Sequence, residues 1–330
     1  MKYFKLIKEY RGHFGSVTSV SFSPDNSKLI SSSSDATIRI WDKSSGKELK
    51  ILKGHSEHVS KAQFSPDGSK IISSSYDKTI RLWDVQSELQ LIKLEGNSNC
   101  VTAQFSPDGQ SIVANLWDKQ IRFFDINSGY EILSLDETPI TIIDIQFSQD
   151  GKKIASLLDN RTIGIWDVKT CQKIQTLCSD RYRVKKVQFS PDDRFLLVCP
   201  EYGQFQILDL TLKDQLIKFH GYRKVIDAKY FPGGQIIVLC SWKTDIQLWD
   251  LKFKFEIQKL KLDKHSNNVT NVNISSDGNN IVKRQIKKQK KFYLIKALLF
   301  FFTDFLMLRF FIFCCGTCFL FLIAKKTYFF

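Results

Sequence analysis

The chain has 330 residues, 25% of them charged and 43% hydrophobic, a balance that excludes a disordered polymer and allows one large core or two ordinary ones. Its formal charge of +14 would point to nucleic acid or an anionic surface if it lay in one stripe of a folded body. Instead, residues 283–330 hold ten Lys or Arg against one acid, Asp304, and the first 282 residues carry 38 basic and 33 acidic side chains, without the stripe a nucleic-acid surface needs.

Met1 to His13 is charged and lacks an apolar run of secretory length, so it does not read as a signal peptide. From there a unit of four short strands is predicted at Tyr3–Ile7, Val17–Ser23, Lys28–Ser32 and Thr37–Trp41, each bounded by Gly, Pro, Asp or Ser. Ile38 and Ile40 alternate with Thr37 and Arg39, the period of a half-buried strand. The Pro-Asp-Asn between the second and third strands, Pro-Asp-Gly in the next two units, is turn chemistry, because Pro presets φ and Gly accepts a positive one.

The unit then recurs. "TIRIWD" ends at Asp42, "TIRLWD" at Asp84, "QIRFFD" at Asp125, "TIGIWD" at Asp167, "FQILD" at Asp209 and "DIQLWD" at Asp250. A second landmark keeps the same beat, "FSPD" or a relative of it at Phe22, Phe64, Phe105, Phe147, Phe189 and Phe231, with a degenerate "ISSDG" at Ile274. Two landmarks locked in phase over six units, spaced at 41 or 42 residues, resemble the WD-repeat β-propeller family, whose period is about 40–45 residues. The resemblance covers residues 3–282.

It implies an all-β fold, a seven-bladed β-propeller of four-stranded antiparallel blades. It also implies a tetrad of hydrogen-bonded side chains per blade, matched by His13, Ser31, Asp35 and Trp41 and by His55, Ser73, Asp77 and Trp83. Later units decay: the third keeps Asp118, the fourth Ser156 and Trp166 with Asn160 for Asp, while Leu208 and Lys243 break the fifth and sixth. The strand around Tyr3–Ile7 is expected to join the last blade and close the ring. That blade begins at Val269–Ile274 and Asn280–Lys283, then loses the pattern in "KRQIKKQKKFYLIK". It is expected to be incomplete or irregular, with Lys291–Ile295 as a substitute strand. The domain boundary is therefore set at 1–284 for the propeller and 285–330 for a basic linker and Phe-rich tail.

Chemistry is sparse. No Gly-rich phosphate loop, His-Glu metal motif or nucleophile elbow is present. Four of the five histidines (His13, His55, His58, His220, His265) start a repeat, where a structural hydrogen bond accounts for them. Cys314, Cys315 and Cys318 lack the second pair that a zinc site needs. The expectation is no enzyme, no cofactor and no metal, a view that ionisable groups gathered in the central channel would reopen. The cysteines Cys100, Cys171, Cys178, Cys199 and Cys240 show no framework, which suits a reduced, cytoplasmic body.

Partner contacts are expected on the face that carries the loops between blades. The residue before the tetrad Asp points there, giving Ser34, Tyr76, Trp117, Asp159, Glu201 and Trp242. Tyr and Trp are typical interface anchors, so Tyr76, Trp117 and Trp242 are candidates. His58, Arg181, Tyr182, Arg183, Tyr222, Arg223 and Lys224 precede inner strands on the same face. They suggest an acidic or phosphorylated peptide; ordinary solvated loop charges are the plainer account.

The tail differs in kind. Residues 306–324 form a 19-residue apolar run broken only by Arg309, long enough to span a bilayer, with lysines before it that would keep the propeller in the cytoplasm. Phe, Lys, Ile and Leu are also what AT-rich noncoding sequence encodes, so a membrane anchor and a mistranslated segment stand side by side. The reading is a non-catalytic protein-interaction scaffold. Its alternatives are a tail-anchored adaptor, a substrate-recruiting subunit of a larger complex such as a ubiquitin ligase, and an RNA-associated propeller.

Overall fold

The computed structural model describes residues 4–96, 102–115, 120–136, 142–178, 183–200, 205–211, 216–218, 225–241, 245–252, 254–261, 269–285 and 291–297. These form seven four-stranded antiparallel sheets, the blades of a propeller. Blade 1 runs outward through Val17–Phe22, Lys28–Ser33, Thr37–Asp42 and Glu48–Lys53. Blades 2 to 6 repeat that order in sequence, each strand pairing with the next.

The middle strands are buried on both faces, not half-buried as their alternation suggests. In Thr37–Asp42 Ile38, Arg39, Ile40 and Trp41 are all buried, because each blade is covered on both faces by its neighbours. Ile30, Ile38 and Ile40 of blade 1 share a core with Val59, Ala62, Phe64, Ile71 and Trp83 of blade 2. Only the outer strands, such as Glu48–Lys53, face water along most of their length.

The ring closes through blade 7, which combines Val269–Ile274, Asn280–Gln285 and Lys291–Ala297 with the N-terminal strand Phe4–Arg11. The blade has its full four strands, and the expected irregularity is confined to its chemistry: Ile295 and Lys283 hold the positions of the tetrad Trp and Ser. Lys291–Ala297 lies beyond residue 284, and Met1–Ala297 forms one compact unit. Tyr10 lies opposite Phe292 in the register, the two rings stack with centroids 4.7 Å apart, and Trp41 of blade 1 meets Phe292 edge-on at 5.8 Å. An unpaired strand edge, which would template aggregation, is thereby covered. Leu298–Phe330, with the apolar run 306–324 and Cys314, Cys315 and Cys318, lies outside the described residues. Among those described, no helix is long and apolar enough to cross a membrane.

The turns after the innermost strands lock neighbouring blades together by a rule with two forms. Where one blade supplies Pro, the next supplies a positive-φ Gly that leaves room for it: a Cβ on Gly68 (φ +74) would sit 3.5 Å from Pro24 Cδ, and Gly109, Gly151, Gly234 and Gly278 repeat the arrangement. Where Gln149 replaces Pro, its free N–H is accepted by Asp193 (2.7 Å), which replaces the Gly at φ 56. Ser276 also replaces Pro, and its N–H is accepted by Asn26 Oδ1 (3.0 Å) at φ 57. Asn26 and Ser276 span the closure between blades 1 and 7. One landmark shifts in register: Tyr230 pairs with Ile237 as Phe22 pairs with Leu29, so Tyr230, not Phe231, holds the repeated aromatic position of blade 6.

Candidate functional site

Both complete tetrads form. In blade 2 His55 Nδ1 lies 2.8 Å from Asp77 Oδ2 and Nε2 lies 2.7 Å from Ser73 Oγ, while Trp83 Nε1–H donates to Ser73 Oγ at 2.9 Å. Blade 1 repeats this with His13, Asp35, Ser31 and Trp41 at 2.9, 2.8 and 2.8 Å. The network assigns the His55 proton to Nδ1, facing the carboxylate, and leaves Nε2 to accept from the serine hydroxyl. A Cβ on Gly54 would meet Trp83 Cη2 at 2.9 Å, so the residue before the histidine has to be glycine for the indole to lie against the chain. Blade 4 keeps part of the tetrad, Trp166 Nε1–H donating to Ser156 Oγ at 3.0 Å, and Asn160 Oδ1 accepts from Thr162 N at 3.1 Å.

The tetrad acts as a pH-sensitive element. Burial lowers the His55 pKa from 6.5 despite Asp77 beside it. Burial also raises the Asp77 carboxyl, but hydrogen bonds from Thr79 and His55 outweigh it and hold it at about 2. Both signs agree, because the folded state disfavours proton uptake at each group. Stability is full above the unfolded pKa and falls as pH drops, through His55 below 6.5 and through Asp77 between 3.8 and about 2. Urea unfolding at pH 7.5 and pH 5.5 is therefore expected to show a smaller pH difference in His55→Asn than in the natural protein; identical differences would contradict it.

The tetrads fix the face that carries the loops between blades. Asp77 Oδ1 accepts the Thr79 N–H at 3.0 Å and holds Lys78 at φ 66. Tyr76, just before it, is 45% exposed and its ring lies 5.4 Å from that of His58, while Tyr76 N–H donates to His58 O at 2.9 Å. These two predicted residues therefore meet. Phe14, which the sequence reading passed over, is 77% exposed after the blade 1 histidine, with the Arg39 guanidinium 5.7 Å from its ring centroid. A bare aromatic directly after a tetrad His was the signal for it. Arg183 pairs with Asp159 at 2.7 Å, which compensates its charge. Trp117, Trp242, Arg181, Tyr182, Tyr222, Arg223 and Lys224 lie outside the described residues.

A second apolar area runs along the rim. Leu89 and Leu91 on blade 2 and Tyr130 and Ile132 on blade 3 are all exposed, Tyr130 to 78%.

Ionisable groups do gather in the central channel. Lys61, Asp144, Lys186 and Lys229 line it, and Lys186 Nζ donates to the buried Asp227 at 2.6 Å. Cys199 is buried in the core between blades 5 and 6, where burial and Asp227 push its thiol up to about 12, away from the reactive thiolate.

The profile of the family described as the IFT122 first beta-propeller matches residues 1–250, which end on the third strand of blade 6. A 42-residue stretch, 13% of this chain, is 45% identical to WD repeat-containing protein 36 of Homo sapiens, of which it covers 5%. Another 39 residues, 12% of the chain, are 49% identical to the Target of rapamycin complex subunit LST8 of Saccharomyces cerevisiae, of which they cover 13%. Each match is one repeat long.

Proposed function

The chain belongs to the family of the IFT122 first beta-propeller, a WD-repeat propeller, and from that premise we propose that it is a non-catalytic scaffold that holds partner proteins on its loop face. The observation that carries this reading is the exposed pairing of Tyr76 with His58, 5.4 Å apart, on a blade made rigid by a complete tetrad. A rigid aromatic loses little entropy on binding, which is why such residues anchor interfaces. Phe14 extends the same apolar character to blade 1, and Trp117 and Trp242 share the sequence column of Tyr76. WD-repeat propellers generally act as binding scaffolds, and LST8 carries in its name the role of a complex subunit. Service as one subunit of a larger assembly, including substrate recruitment, is the form of the function we favour. The pairing of Arg183 with Asp159 weighs against a strongly basic pocket for phosphorylated peptides.

The test is quantitative recovery of co-purifying proteins from a cell extract. Tyr76→Ala combined with Phe14→Ala is expected to reduce partner recovery tenfold or more, given typical anchor energies of about 2 kcal/mol or above. The unfolding midpoint should not move, since both side chains are exposed. Unchanged recovery would overturn the assignment of this face.

A further inference from the structure

The channel carries features that the scaffold reading does not use. Six of the seven innermost strands have a register shift near their start, as between Val59 and Lys61 or Val184 and Lys186. The residue three before the repeated aromatic, or its Ile274 counterpart, gives Ser19, Lys61, Thr102, Asp144, Lys186, Asp227 and Asn271. Two of these charges cancel locally. Asp227 accepts from Lys186 Nζ at 2.6 Å, from Asn271 Nδ2 at 3.1 Å and from Val272 N at 3.0 Å, so its oxygens are engaged. Lys61 and Lys229 also line the channel cavity, and among the described residues neither ammonium group has a hydrogen bond or ion pair. Asp144, on the same wall, accepts from Ile145 N at 3.0 Å and from Gln146 Nε2 at 3.5 Å. One positive charge is left in surplus.

Two hydroxyls and one amide oxygen without partners border the same cavity as those lysines. Thr102 is 5% exposed, and its hydroxyl has no partner; the Ser21 hydroxyl and Gln104 Oε1 are likewise buried and unpartnered. All three residues border the same cavity of about 310 Å³. Buried polar groups are normally satisfied by protein or by water, so these three, facing the cavity, can bond to its water or to a ligand that displaces it. The volume corresponds to about ten waters and lies at the small end for ligand sites. Ser21, Gln63, Gln104 and Asn273 border this cavity and also a wider mouth of about 550 Å³ among the Ser-Pro turns. Entry is thus from the face opposite the loop face.

We propose that the channel is a binding site for a small oxyanion, a phosphate or carboxylate headgroup, held by Lys61 and Lys229 with the Thr102 and Ser21 hydroxyls as donors. The site is separate from the loop face and stands or falls independently of it. Lowered lysine pKa values agree with it: burial, with Lys186 and Lys61 nearby, brings Lys229 down to about 8, and burial lowers Lys61 as well. An incoming anion would relieve both. Gln104 Oε1, an acceptor, would take the hydroxyl hydrogen of a protonated phosphate or that of a water held with the ligand.

The experiment is isothermal titration calorimetry of the full chain at constant ionic strength, with inorganic phosphate and with acetate as separate probes. Saturable binding at one site per chain is expected, and the tighter of the two probes identifies the headgroup. Lys61→Gln and Lys229→Gln are each expected to weaken binding at least tenfold, with Thr102→Val also weaker, and Lys61→Arg restoring most of the affinity. Lys152→Gln, whose side chain is 78% exposed, should bind as the natural protein does. Melting temperatures measured without anion guard against misfolding, since deleting an unpaired buried charge should leave them equal or higher. No saturable binding of either probe would overturn the proposal, and so would binding that survives both glutamine substitutions.

Discussion

Phe292→Ala is expected to lower the unfolding free energy by about 3–5 kcal/mol, the range for truncating a buried aromatic. The side chain is completely buried between Tyr10 of the N-terminal strand and Trp41 of blade 1, so alanine leaves a void where the ring closes on itself. Set against a total stability of about 5–15 kcal/mol, that loss moves a large part of the population toward opened forms. Tyr10→Ala should couple to it, with about 0.5–1.5 kcal/mol of non-additivity for an aromatic pair. Lys296→Ala, exposed on the same strand, should stay within about 0.5 kcal/mol of the natural protein. Urea unfolding of the natural protein, the three single variants and the Tyr10→Ala/Phe292→Ala double variant checks all of this. A neutral Phe292→Ala would mean that Lys291–Ala297 does not pack into the ring.

The second large effect is at Asp77. Its carboxylate accepts from His55 Nδ1, Thr79 Oγ1, Thr79 N and Ser56 N at 2.8, 2.7, 3.0 and 3.1 Å. Asp77→Ala takes the acceptor from all four donors, three of them part-buried and only Ser56 N exposed, for an expected cost of about 3–5 kcal/mol. Asp77→Asn should cost less, about 1–3 kcal/mol. The chain itself shows why: Asn160 keeps the equivalent turn bonds to Thr162, but an amide NH2 cannot accept from His55 Nδ1–H. Adding His55→Ala to Asp77→Asn should therefore cost much less than His55→Ala alone. Equal costs in both backgrounds would show that the tetrad does not act as a unit.

The period of the repeat made the blades and both tetrads legible, because strand, turn and tetrad residues each recur at fixed offsets and a blade has few other ways to bury them. Lys291–Ala297 was harder to place. Its alternation of Phe292 and Leu294 with Lys291 and Tyr293 marks a strand, but without the Trp-Asp ending it is expected only as a substitute; the ladders with Asn280–Gln285 and Phe4–Arg11 fix its place in blade 7. The channel cluster was hidden for a related reason. Lys61, Asp144, Lys186 and Asp227 share one repeat position, yet taking Phe231 as the blade 6 landmark moves Asp227 out of that column. The loop face is read through its Asp column and, in blades 2, 5 and 6, through the residues before the inner strand; Phe14, the blade 1 counterpart directly after its tetrad His, is missed because that second reading leaves blade 1 out.

Closure of the ring by the N-terminal strand is most directly tested by zero-length carbodiimide cross-linking of the native protein, followed by peptide mass spectrometry. Glu9 Oε1 and Lys291 Nζ lie 2.7 Å apart across the two closing strands, 282 residues apart in sequence, and both side chains remain partly accessible. The expected result is an isopeptide bond between Glu9 and Lys291, formed alongside one between Lys50 and Glu88, which stand 3.5 Å apart on blades 1 and 2. Recovery of the Lys50–Glu88 link without any link from Glu9 to Lys291 would contradict a ring sealed at that seam.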